Sequence, residues 1–291
     1  MPTKEQVEAY DLRYLEQARC VMADGTQLYY ETRGSGPYLT LVNNMFLVSP
    51  LWRPFTGRLE AHRTLLTYDM RNQGASTMQD SPVTLDQHVE DLRMLLDHVG
   101  VEKTMLMGTS VSTLITKNFA ARYPERVSGL ILVGPSFSPF GSARRELIAK
   151  SWLKALQAGG PSELFSHIYP QVFGDKAIQE GGAPGYLALR ERFLALNSPE
   201  QLRNNLGASL TVKDDAGALA GLGCPVLLMA GDGDVFASRS SLEELAKLLP
   251  DARVDVVPYA GHVPYFDAPD AFQESVIRFL TDLDDRAAAQ G

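Results

Sequence analysis

The stretch Met105-Leu106-Met107-Gly108-Thr109-Ser110-Val111-Ser112 decides the reading of this chain. An apolar run that suits a buried strand leads into Gly108, and a helical pattern follows Ser110. A serine at such a strand-to-helix turn has its side chain thrown clear of the sheet. The turn is tight, so the residues two before and two after must be small, and Gly108 and Ser112 meet that need. The free N–H groups of the helix start lie beneath the hydroxyl, where they favour developing negative charge. A Gly-x-Ser-x-small pattern alone arises by chance in roughly one chain of this size in three or four, so the setting carries the weight. A second copy, Gly134-Pro135-Ser136-Phe137-Ser138, also follows a strand, but it runs into Pro139-Phe140-Gly141 with no helix behind it. Ser110 is therefore the candidate nucleophile in preference to Ser136. Its competing role is a plain helix N-cap, a position serine favours anyway.

The same rhythm continues on both sides of this stretch. Short apolar runs at 38–42, 64–68, 103–107, 130–133, 226–229 and 253–257 suit parallel strands buried on both faces. Helical periodicity fills the gaps at 85–99, 111–123, 241–249 and 269–283. A hairpin precedes the series, with strands near 19–22 and 28–32 around the turn pair Asp24-Gly25. This alternation predicts an α/β fold: a mostly parallel sheet with helices on both faces. The rhythm breaks over residues 139–213, which read as helices (143–156, 161–168, 185–196) with no strand. That segment is an inserted helical cap. The division is a helical extension over 1–18, a core of 19–138 and 214–291, and a cap over 139–213.

Composition narrows the function classes. The chain has 291 residues, 45% hydrophobic and 21% charged, with two cysteines and a net charge of −8. Disorder and a disulfide scaffold do not fit these figures. A pI near 5.2 argues against a nucleic-acid partner, since phosphate contacts need clustered Lys and Arg. No apolar run reaches the roughly 18 residues of a membrane helix, and the first residues carry no signal-peptide apolar region, so a cytoplasmic protein with no membrane partner is expected. The charge is uneven: nine basic and six acidic residues make the cap +3 and leave the remainder at −11.

A serine needs a base. Of the five histidines, His262 lies in a loop between the last strand and the last helix, at the carboxyl end of the strands, where sites form in parallel sheets. The others fall on a helix (His88, His98), before a strand (His62) or in the cap (His167). The base needs an orienting carboxylate. The run Ala230-Gly231-Asp232-Gly233-Asp234-Val235 follows a strand and offers two, of which Asp234 is preferred. No His, Cys, Asp or Glu cluster suggests a metal, and no cofactor is expected.

Ser110, Asp234 and His262, in that chain order and each at a strand end, resemble the α/β-hydrolase superfamily. So do Asp69-Met70-Arg71-Asn72-Gln73-Gly74-Ala75-Ser76, after a strand, and Gly261-His262 followed by Asp267-Ala268-Pro269. Within that superfamily the chain is most similar to small esterases, enol-lactone hydrolases, cofactor-free haloperoxidases and C–C bond hydrolases. The resemblance implies a Ser-His-Asp triad and an oxyanion hole from the backbone N–H groups of Met45 and Val111. Two positions depart from the family pattern. Asn43-Asn44 stands where His-Gly is usual, and Asn44 either donates into the hole or holds the loop. Ser112 stands where Gly is commoner.

The expected reaction is hydrolysis of a carboxylic ester, thioester or lactone of a small-to-medium, mostly apolar acid. The alternative keeps the triad for C–C bond hydrolysis, acyl transfer or cyclisation. Phe46, Trp52, Phe137, Phe140 and Tyr265 are candidate substrate contacts. The basic cap leaves room for an acyl carrier protein as partner, and the N-terminal helix for a sheet-edge cover or a homodimer contact.

Overall fold

A computed structural model describes residues 3–15, 19–80, 83–212 and 216–289. A short helix α1 (Lys4–Glu8) precedes the strands β1 (Arg19–Val21), β2 (Gln27–Gly34) and β3 (Tyr38–Val42). Helix α2 (Arg53–Thr56) leads to β4 (Thr64–Tyr68), α3 (Leu85–Val99), β5 (Thr104–Thr109), α4 (Ser112–Arg122) and β6 (Val127–Val133). Helices α5 (Ala143–Val172), α6 (Asp175–Leu196) and α7 (Pro199–Thr211) come next. The chain then forms β7 (Val226–Gly231), α8 (Arg239–Ala246), β8 (Ala252–Val257), α9 (Pro264–Asp267) and α10 (Pro269–Ala288). The strands make one sheet in the order β1-β2-β4-β3-β5-β6-β7-β8. Pairings β1–β2 and β2–β4 are antiparallel, and all others are parallel. This is the α/β-hydrolase fold the motifs imply.

The near-continuous apolar strands follow from having two covered faces. On β5, Met105 and Met107 enter the core on one side of the sheet and Leu106 enters the core on the other. Strand β7 divides likewise, with Leu227 and Met229 on one side and Val226 and Leu228 on the opposite one. With period-two alternation, every residue of a central strand then faces a core.

The helices between β6 and β7 pack on one another above the carboxyl ends of the strands. Glycine breaks two of them. Gly159 and Gly160 leave helical geometry within α5, with φ +71 at Gly160, and Pro161 restarts the helix. Gly182, at φ +52, kinks α6 ahead of Pro184. Helix α7 was not read from the sequence as a separate helix, although its start is marked: Ser198 accepts the Gln201 N–H and Pro199 opens the first turn.

The N-terminal helix covers only part of the helical extension expected over 1–18. It ends at Glu8, residues 9–15 are not helical, and residues 16–18 lie outside the described set. Thr3 and Gln6 close it with a reciprocal capping box. It packs against α6 rather than along a sheet edge. Among the described residues no helix is long and apolar enough to cross a membrane.

Candidate active site

Ser110 occupies the turn between β5 and α4 with φ +55, a strained left-handed conformation for a residue with a side chain. Its N–H is tied to Val133 O of the neighbouring strand at 2.8 Å. The turn explains both flanking small residues. A Cβ on Gly108 would lie 2.6 Å from Thr116 Oγ1 and 2.9 Å from Ser112 O. Ser112 is more than small. Its Oγ accepts the Thr109 N–H (2.8 Å) and its hydroxyl reaches Val42 O (2.8 Å), so it ties the elbow to β3.

His262 Nε2 lies 2.9 Å from Ser110 Oγ, and His262 Nδ1 lies 2.9 Å from Asp234 Oδ2. The ionised carboxylate can only accept, so Nδ1 carries the proton and Nε2 is left to accept from the serine hydroxyl. Asp234 is buried, and its other oxygen accepts the N–H groups of Phe236 (2.7 Å) and Ala237 (3.0 Å). Asp232 is exposed. The Phe236 ring packs edge-on against the imidazole with centroids 4.7 Å apart. The structure thus brings together Ser110, His262 and Asp234, from three separate strand ends.

Gly134 belongs to the rejected second serine motif, yet it is part of this site. A Cβ there would lie 2.6 Å from His262 Cε1, 2.8 Å from Nδ1 and 3.4 Å from Asp234 Oδ2. The histidine ring fits only because that side chain is missing.

The loop after β3 is held by side chains. Asn44 Oδ1 accepts the N–H groups of Phe46 (2.9 Å) and Leu47 (3.1 Å), and its Nδ2 donates to Tyr265 Oη (3.1 Å). These bonds show Asn44 holding the loop, and it also lines the cavity beside Ser110. Gln73 Nε2 donates to Asn44 O (2.5 Å), and Asn43 donates to Asp69 (3.3 Å). Asp69 also accepts the N–H groups of Ser49 (2.6 Å) and Ala75 (3.0 Å), yet burial pushes its carboxyl up to about 6. Among the described residues, no hydrogen bond engages the N–H groups of Met45 and Val111.

The histidine loop is stapled to the end of α5. The His262 N–H donates to Val172 O at 2.8 Å. Asp267 Oδ2 accepts both Gly174 N–H (2.8 Å) and Gly261 N–H (2.7 Å). Burial pushes the Asp267 carboxyl up to about 6, against the pull of those two donors.

Two cavities meet at Ser110, His262, Met45 and Trp152. The first has about 910 Å³ of unfilled space, partly open to solvent, and is lined mainly by apolar side chains, among them Phe46, Phe165, Phe193 and Tyr265. The second, about 1380 Å³, is more polar; Ser136, Ser138, Ser209, Arg144 and Arg145 join Phe137 and Phe140 there. Phe140 is 79% exposed and forms a rim. Trp52 lines neither cavity, which corrects the expectation of a substrate contact. It is 1% exposed, and its Nε1 donates to Asn43 Oδ1 (2.7 Å), fixing the loop from beneath. Trp152, Phe236 and Val7 also line these cavities and carry no local sequence signal, because their placement depends on contacts distant in sequence. Among the described residues, no cluster of three or more His, Cys, Asp or Glu side chains could hold a metal ion.

A strained serine at a strand-to-helix turn, facing a histidine and a buried aspartate on this sheet, matches one class of protein. The chain belongs to the alpha/beta hydrolase family, whose family model matches residues 41–274, and it is a hydrolase. It is 28% identical over 260 residues to a protein bearing the name carbamate hydrolase from Azorhizobium caulinodans, covering 88% of this chain and 96% of that one. It is also 28% identical over 263 residues to the pimeloyl-[acyl-carrier protein] methyl ester esterase of Chromobacterium violaceum, covering 87% and 98%. Among solved structures, it is similar to the enol-lactonase of Burkholderia xenovorans LB400, with a TM-score of 0.75 and 25% identity over 89% of this chain and 98% of that one.

Proposed function

We propose that this hydrolase cleaves a carboxylic ester, thioester or lactone through an acyl-enzyme on Ser110. The hydrogen-bonded line Ser110–His262–Asp234, 2.9 Å at each step, carries the reading. His262 Nε2 takes the Ser110 proton as Oγ attacks the carbonyl carbon. Asp234 holds the imidazole tautomer and stabilises the imidazolium. The oxyanion accepts from Met45 N–H and Val111 N–H, and one such donor is worth about 3 kcal/mol in the transition state. The tetrahedral centre collapses, and His262 returns the proton to the leaving group. It then takes a proton from the water that attacks the acyl-enzyme, and hands it to Ser110 Oγ as the C–O bond breaks and the acid leaves.

The two cavities divide the substrate. The apolar cavity suits the acyl group, and the polar one suits the leaving group. Named activities of relatives on carbamate, methyl ester and enol-lactone bonds all involve a carbonyl with a heteroatom leaving group. C–C chemistry and acyl transfer are the alternatives that the unusual Asn43-Asn44 loop raises. With Asn44 engaged in holding the loop, it adds no new reactive group, and hydrolysis is favoured. A carrier-bound acyl ester is the second reading. It is favoured by the methyl ester esterase relative and by Arg144 and Arg145 at the polar cavity.

The test is a fluorophosphonate probe with a panel of p-nitrophenyl esters, acyl-thioesters and lactones. The probe labels Ser110, and Ser110→Ala loses labelling and several orders of magnitude of activity. Wild-type activity in Ser110→Ala would refute the nucleophile. A preference for carrier-bound over free methyl esters would favour the second reading.

A further inference from the structure

The apolar cavity has a wall that no motif pointed to. Four of the five residues of α1 are exposed, but Val7 between them has no exposed surface. Val7 and Tyr10 line the cavity together with Phe193, Leu196 and Asn197 from the end of α6. A five-residue helix is too short to hold itself together in water, so its order depends on what it docks against. The docking is specific. Arg192 of α6 donates to Glu8 O (3.1 Å), and Arg53 donates to Asp11 O (3.1 Å). Arg53 is itself fixed by the buried Glu31 carboxylate, at 2.6 and 3.1 Å. Tyr10 packs edge-on against Phe55 with centroids 5.6 Å apart, and Leu15 N–H donates to Tyr29 Oη (2.8 Å). The segment is thus a strap running from the cap to the core, and one turn of it closes part of the cavity.

We propose that residues 3–15 gauge the acyl group, with Val7 and Tyr10 limiting the length and bulk of the aliphatic chain the cavity accepts. The proposal rests on the acyl-enzyme reading for its kinetic test and its labelling check, and not for the titration. A deeper cavity buries more methylenes, each worth about fourfold in binding, so wall position converts directly into chain-length preference. A small residue at position 7 extends the cavity towards solvent, and a large one fills it. None of the strap residues touches Ser110, His262 or Asp234 in a hydrogen bond or ring contact, so the strap selects substrate without entering the chemistry.

The experiment compares the full-length protein with Val7→Trp and with Val7→Ala/Tyr10→Ala. The kinetic readout is the ratio of kcat/KM for p-nitrophenyl decanoate to that for p-nitrophenyl acetate. Val7→Trp lowers this ratio at least tenfold, and Val7→Ala/Tyr10→Ala raises it at least threefold. A second readout needs no turnover: calorimetric titration with octanoate, whose affinity falls at least tenfold in Val7→Trp. Fluorophosphonate labelling of Ser110 checks that each variant keeps its fold. Ratios within twofold of wild type in both variants, with equal octanoate affinity and intact labelling, overturn the proposal. If no variant hydrolyses esters but octanoate affinity still shifts, the acyl-enzyme reading fails and the wall stands.

Discussion

Replacing Gly134 with alanine tests how the position of His262 bears on activity without removing any polar group. The new Cβ would lie 2.6 Å from His262 Cε1 and 2.8 Å from Nδ1. Carbon contacts settle at about 3.5–4.0 Å, so the ring must retreat by roughly 1 Å. It cannot retreat freely, because Nδ1 is bonded to Asp234 and the backbone N–H to Val172 O. A misplacement of about 1 Å at reacting groups costs on the order of 100-fold in rate. Gly134 also has φ +56, where a side chain adds about 1–2 kcal/mol of strain. Gly134→Ala should therefore lower kcat about 100-fold with KM little changed, and lower the melting temperature by a few degrees. Gly100→Ala separates the two effects. Gly100 has φ +77 and nothing within 4 Å of a built Cβ, so that variant carries the strain without displacing the ring. Ester hydrolysis and thermal melts of both variants are the assay. Activity of Gly134→Ala within threefold of wild type would refute the reasoning, as would an equal loss in Gly100→Ala.

Two further outcomes follow from the polar network around the site. Asp267→Ala leaves the N–H groups of Gly174 and Gly261 without their acceptor, at about 1–3 kcal/mol each. Urea unfolding should show that loss and kcat should fall with it, while Asp267→Asn, which keeps an acceptor oxygen, recovers most of both; an Asp267→Ala variant as stable as wild type would contradict the staple. For Asp69, burial raises the carboxyl from 3.8 to about 6, so the folded state holds a proton that the unfolded chain releases. Between about pH 4 and 6 this contribution makes stability fall as pH rises, and it is constant above that window. The stability difference between wild type and Asp69→Asn, from urea midpoints at several pH values, should fall across pH 4 to 6; a flat or rising difference would be the wrong sign.

The fold was legible because its central strands obey a simple rule: two covered faces favour apolar residues along the whole run. The same strand-to-helix reading separated Ser110 from Ser136. What stayed hidden depends on direction and on distant contacts. Asn44 advertises hydrogen bonding, but not whether it turns towards a substrate or towards Tyr265 and its own loop. Trp52 is near the loop after β3 in sequence, yet it packs underneath with its Nε1 on Asn43. Gly134 was read only as part of a failed serine motif, because nothing local reveals that a histidine 128 positions later will lean on it. Val7 was invisible for the opposite reason: one valine among charged residues carries no periodic signal, and its burial comes from α6 and the cavity. The Ser198-Pro199 start of α7, by contrast, is a local signal present in the sequence.

The junction between α5 and the histidine loop limits how this protein can be altered. A Cβ on Gly261 would lie 2.6 Å from Val172 O, and one on Gly174 would lie 2.8 Å from Tyr259 O. Both glycines are therefore needed for the two segments to approach, and Asp267 bonds to both. The segment between β6 and β7 looks like an interchangeable module, since it enters and leaves at neighbouring strands. It is not one. A cap transplanted from a relative has to bring its own glycine to position 174 and a free carbonyl to position 172, or the recipient's histidine loses its backbone anchor. Recombination that respects strand boundaries alone would yield folded, inactive chimeras, and the productive crossover points are those that move the cap and the 259–267 loop together.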